Sequence, residues 1–171
     1  MFREEINFIK GNVNKHRKYH EYDRAQFEKI IKELIGNDKV REMKQYNHHS
    51  HTSCFKHSLH VSYFNYKLCK KFGLDERAGA RAGMLHDLFL YDWHDREVKL
   101  GQSLHGFDHP YIALKNANKN FELNEKEQDI IEKHMFPLTP RFPKFKETFV
   151  IVLTDKFCSV CEVMDRYLKR A

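Results

Sequence analysis

Residues 75–90 read DERAGARAGMLHDLFL. Ala78, Ala82, Leu85 and Phe89 recur on one stripe at helical spacing, which predicts a helix over this stretch. Gly79, Ala82 and Gly83 keep the turns before His86 small, so a second helix can approach closely there. Into this apolar run are set His86 and Asp87. Burying a charge costs several kcal/mol unless it is paired or ligates a metal. The pair therefore demands a partner from elsewhere in the chain.

The flanking sequence predicts more helices. In residues 21–36, Phe27, Ile30, Ile31 and Leu34 keep helical spacing and Gly36 stops it. Residues 53–72 place His57, Val61, Phe64, Leu68 and Phe72 on one face, and Gly73 ends the run. Pro110 suits the first position of a helix over 110–119. Asn124 suits the N-cap of a helix over 124–135, and a last helix covers about 145–169. No segment sustains period-two alternation. With only seven Gly and four Pro in 171 residues, the expected fold is an all-α, compact helical bundle in a single domain, 1–171.

Hydrophobic residues make up 41% of the chain, including fourteen Phe and eight Tyr, enough for a core. The net charge of +6 suits anionic small molecules. The Lys and Arg of residues 10–44 form no dense stripe interleaved with aromatics, so no specific nucleic-acid partner is expected. The first residues, MFREEINFIKG, lack an apolar signal core. The longest clean apolar run, Phe149–Leu153, is far too short for a bilayer. A cytoplasmic protein without a membrane partner follows, and a homodimer is compatible with it. Cys54, Cys69, Cys158 and Cys161 then read as reduced thiols. Cys158-Ser-Val-Cys161 has no second CxxC to complete a zinc site, so both are expected as packed core thiols. His48-His49-Ser50-His51 reads as a polar loop, and His16 and His20 as a solvated helix face.

Helical phase turns several titratable groups inward. His57 shares a face with Val61, Phe64 and Leu68; His134 follows Ile130 and Ile131; Asp155 follows the apolar run FVIVL and precedes Cys158 by three. One such group is an ordinary hydrogen-bonded core residue. Several, on separate helices, call for a divalent cation to compensate them.

The ordered set His57, His86-Asp87 and Asp155, in the contexts HSLHV, AGMLHDLF and LTDKFCSV, resembles the HD superfamily of metal-dependent phosphohydrolases. The likeness spans about residues 50–165 and leaves 1–50 as a helical N-terminal extension. FDHP, with His109, and IIEKH, with His134, resemble the two further histidine motifs of its two-metal branches. The resemblance implies one or two divalent transition ions (Fe, Mn, Co or Zn). His57, His86, Asp87 and Asp155 would hold the first, and Asp87, His109 and His134 the second. Asp87 and His86 are then the expected catalytic residues. The expected activity is hydrolysis of a phosphate ester of a small molecule, a nucleotide before others, by metal-activated water. Arg96, Lys99, His105 and Arg141 are candidate phosphate contacts, and Tyr91 or Trp93 could stack on a base. The sequence departs from the pattern at Leu90, where two-metal relatives carry Lys. That keeps two alternatives open: a di-iron oxygenase on the same fold, and a non-catalytic nucleotide-binding regulatory module.

Overall fold

The computed structural model describes residues 17–48, 52–92 and 105–168. They form α1 (Arg17–Gly36), α2 (Asp38–Glu42), a 3-10 turn (Met43–Gln45), α3 (Cys54–Lys71), α4 (Glu76–Leu85), α5 (His105–Asn120), α6 (Glu125–Lys133) and α7 (Lys146–Leu168). There is no strand among the described residues, so the fold is all-α. Asn47 and Ser53 form one isolated antiparallel bridge.

The helix starts are written in short polar side chains. Ser53 accepts from Lys56 N, and Asp75 accepts from Ala78 N. Asn124 and Glu127 cap each other reciprocally at the start of α6. Helix α4 is the hub and packs against α1, α3, α5, α6 and α7. Every residue from Ala78 to Leu85 is buried. The small side chains allow this. A Cβ at Gly83 would stand 2.7 Å from Ser62 Cα, and one at Gly79 would stand 2.8 Å from Cys69 Sγ. Ser62 Oγ donates to Ala80 O at 2.6 Å across the same seam. The expected close approach of a second helix is thus made by α3.

Polar ties fix the remaining helices on this hub. Arg81 Nε donates to Glu127 Oε1 at 2.7 Å and its Nη1 to Glu33 Oε2 at 3.1 Å, which joins α4 to α6 and α1. Asp129 accepts from Thr148 Oγ1 at 2.6 Å and from Lys144 N at 3.0 Å, so α6 sets the start of α7.

Three expectations need correction. Phe64 and Phe72 turn towards solvent, not inward with His57. The α3 seam is filled instead by Ser62, Asn65 and Cys69, because only small or polar groups fit against the glycines of α4. Helix α5 begins at His105, with Pro110 inside it, where proline forfeits a backbone donor and crowds the carbonyl four residues earlier. Helix α4 ends at Leu85, and Leu90 adopts φ 56° in the turn that follows. His86 and Asp87 therefore stand where the helix unwinds.

Candidate metal centre

His86 and His134 are built alike. Each is the C-cap of its helix, α4 and α6 respectively. The last carbonyls of a helix lack backbone donors. His86 Nδ1 satisfies Gly83 O at 2.9 Å, and His134 Nδ1 satisfies Ile131 O at 2.9 Å. With Nδ1–H donating, Nε2 of each ring carries the lone pair. His57, in the first turns of α3, is held from behind by Glu162 of α7, whose two oxygens lie 3.2 and 3.3 Å from Nδ1. Its Nε2 meets Asp155 Oδ1 at 3.1 Å.

These groups converge on Asp87. Its Oδ2 lies 3.4 Å from His86 Nε2 and 3.9 Å from His57 Nε2. Its Oδ1 lies 3.4 Å from His109 Nε2 and 3.8 Å from His134 Nε2. The last two nitrogens are 2.8 Å apart. His57, His86, Asp87, His109, His134 and Asp155 are all buried. Donors bound at ~2.1 Å to one ion stand ~3.0 Å apart in an octahedron and ~3.4 Å apart in a tetrahedron. The observed separations bracket those values. Among the described residues three clusters meet the geometric requirement for an ion: His57, His86 and Asp155; His86, Asp87 and His134; and His48, His57 and Asp87.

His86 Nε2 and Asp87 Oδ2 are buried and make no well-aligned hydrogen bond. Orphaned atoms of this kind carry a desolvation penalty that a cation removes. The electrostatics point the same way. Burial raises Asp87 and Asp155, yet the surrounding imidazoles hold both carboxyls well below their usual range. Burial lowers His57, but Asp155 and Glu162 outweigh it and carry the ring up to about 10. His134 goes the other way, to about 3, through burial and the neighbouring His109 and His86. It is a neutral imidazole, the form that ligates. Imidazole and carboxylate together suit Fe, Mn, Co or Zn.

The HD domain family model matches residues 54–160, more than half of the chain. The chain belongs to the HD domain family. No curated protein and no solved structure matches it. HD domains bind divalent metals and belong to a superfamily of metal-dependent phosphohydrolases, and the donor set of this HD domain fits such an ion. The fold brings the six residues expected as ligands close to one another.

Two residues outside the matched range join them. His48 was expected in a polar loop. Instead its ring stacks on His57 with centroids 3.6 Å apart and planes 16° apart, and its Nε2 lies 3.2 Å from Asp87 Oδ2. The bridge at Asn47–Ser53 folds the segment back, and His48 N donates to Thr52 O at 2.9 Å. His48 has no helical phase to betray its direction, so the sequence carries no signal for it. Glu162 had one: it follows Asp155 by seven residues, two turns along the same face. Its carboxyl is lowered to about 2, because hydrogen bonds from His57 and His60 overcome burial.

The candidate phosphate contacts fare differently. Arg141 pairs with Glu132 and lies over the Tyr111 ring, 4.9 Å from its centroid. His105 opens α5, but its side chain is outside the description; Arg96 and Lys99 lie outside the described residues, as do Trp93, His16, His49 and His51. Tyr91 packs against Phe89 at 5.0 Å. Cys158 is buried with its thiol pushed up to about 12 by burial, whereas Cys161 is exposed and so is no core thiol. No described helix is long and apolar enough to cross a membrane.

Proposed function

We propose that this HD domain hydrolyses a phosphate ester of a small molecule, with nucleotides the first substrates to try. The observation that carries the reading is the convergence of His57, His86, His109 and His134 on the two oxygens of one buried carboxylate, Asp87, with Asp155 set against His57 and His86. His57, His86, Asp155 and Asp87 Oδ2 would hold one ion; His109, His134 and Asp87 Oδ1 would hold a second. A divalent ion bound there supplies an acidified water and positive charge for the phosphoryl oxygens.

The chain's own residues supply the order around it. Gly83 O and Ile131 O fix the tautomers of His86 and His134, so both present lone pairs without rearrangement. Glu162 orients His57 by accepting from its Nδ1. Asp87, shared between the two sides, would reduce repulsion between two cations held there. Burial of the whole set keeps bulk water from competing with the ester.

The test begins with metal analysis of protein purified without chelator. A phosphatase and phosphodiesterase panel follows, run with and without oxygen. The expected result is one or two bound transition ions per chain and oxygen-independent phosphate release. Asp87→Ala should abolish both metal retention and turnover. Turnover only with oxygen would favour the di-iron oxygenase. Nucleotide binding with no phosphate release across the panel would favour a regulatory module. Full metal and full turnover in Asp87→Ala would end the assignment.

A further inference from the structure

Among the described residues, the outer face of α7 is apolar and exposed. Phe149, Leu153, Phe157, Val160 and Met164 are between 39 and 68% exposed. They recur at the spacing of one helical stripe that runs ~22 Å along the axis. Phe64 of α3 packs edge-on against Phe157 at 5.7 Å and widens the stripe at its middle. Phe142 packs against Phe149 at 5.7 Å and lengthens it. At ~150–250 Å² for a whole aromatic side chain, the exposed parts of these residues amount to roughly 800 Å². The largest patch on a typical monomer covers ~300–600 Å². One side of a standard stable interface covers ~800 Å².

The spacing says what covers it. Phe149, Leu153, Val160 and Met164 are separated by four, seven and four residues, which reads the same in either direction. Phe157 fills the central gap. A stripe with that symmetry complements its own reversed copy: Phe149 meets Met164, Leu153 meets Val160, and Phe157 lies beside the axis. A two-fold dimer requires this reciprocity, and no other kind of partner does. We propose that α7 packs antiparallel on α7 of a second copy of this chain, about a two-fold axis next to Phe157. At 100° per residue the stripe lies ~120–200° around the helix from Asp155. The interface therefore leaves the metal centre clear, and its test is independent of the activity.

The full chain is weighed by light scattering after size exclusion across a wide dilution series. The expected mass is twice that of the chain, falling towards one chain only at high dilution. Leu153→Glu puts two charges into the seam and should raise the dimer dissociation constant by at least ~100-fold. Its circular dichroism should be unchanged, because Leu153 is 68% exposed. Phe157→Cys in a Cys161→Ser chain reads the register directly: two cysteines beside the axis come within disulfide reach. A linked, reducible dimer is expected on mild oxidation. A wild-type chain that stays monomeric at high concentration overturns the proposal, and the face then belongs to another occupant, such as residues 1–16. So does a Leu153→Glu chain that dimerises as well as wild type, or a Phe157→Cys chain that gives no linked dimer.

Discussion

Asp87 shows how a single residue type settles the chemistry of a site. A carboxylate offers two oxygens, and here each faces a different set of imidazoles. No amide or hydroxyl could present two anionic faces to two cations. The imidazoles in turn depend on what stands behind them. His86 and His134 lean on backbone carbonyls, which mutation cannot remove. His57 leans on a side chain, Glu162, and is the one whose support can be tested. Glu162→Ala should weaken metal binding by ~10–100-fold in a chelator competition, since loss of such support typically costs that much. Glu162→Gln keeps an acceptor for His57 Nδ1–H and should recover most of the affinity. Equal affinity in wild type and Glu162→Ala would show that His57 needs no carboxylate behind it.

At the scale of elements, the site exists because α3 and α4 touch almost backbone to backbone. Gly83 stands one turn before His86, and Ser62 one turn after His57 and Ser58. Any side chain at Gly83 pushes the two histidines apart. Gly83→Ala would place its Cβ 2.7 Å from Ser62 Cα, a backbone atom that cannot rotate away. The expected cost is ~1–3 kcal/mol of stability by chemical denaturation, together with weaker metal retention. A Gly83→Ala chain as stable as wild type would mean that the seam is looser than its distances. This seam was legible in the sequence, because small residues at helical spacing have one common use. So were His57, His86, His134 and Asp155, since each lies on or just past a helix whose phase fixes its direction; His109 was legible only through the likeness of FDHP to the HD superfamily. His48 was not legible: it lies between helices, and its direction depends on a bridge between Asn47 and Ser53 that no periodicity announces. The expectation of Phe64 in the core failed for a related reason. Periodicity ranks faces by apolarity, whereas the neighbouring glycines of α4 select for small size.

Across the whole molecule, buried and half-buried carboxylates tie helices that are far apart in sequence. Asp23 of α1 takes Lys67 and Lys70 of α3 at 2.5 and 2.6 Å. Glu147 of α7 takes Lys126 of α6 at 2.9 Å and caps Asp75 N ahead of α4 at 3.0 Å. Asp129 takes Lys133, Thr148 and the backbone donors of Lys144 and Phe145 just ahead of α7. Burial raises the pKa of all three, and their partners more than reverse it, so each is lowered in the folded chain. The sign of the linkage follows. A carboxyl with a depressed folded pKa binds a proton more readily when unfolded. Its contribution is complete above its unfolded pKa, ~4 for Asp and Glu, and is lost as pH falls through the lower folded value. The fold should therefore hold its stability down to about pH 5 and lose it progressively below pH 4. Asp129→Asn separates this from general acid damage. It removes the ionisable group and spoils the hydrogen bonds at the start of α7, which should cost ~1–3 kcal/mol near neutral pH. The gap between variant and wild type should then narrow as pH falls, because wild-type Asp129 loses its charge as well. Denaturant unfolding at a series of pH values measures both. A gap that stays constant from neutral pH down through the acid limb would mean that the ionised form of Asp129 contributes nothing to the joining of α6 and α7.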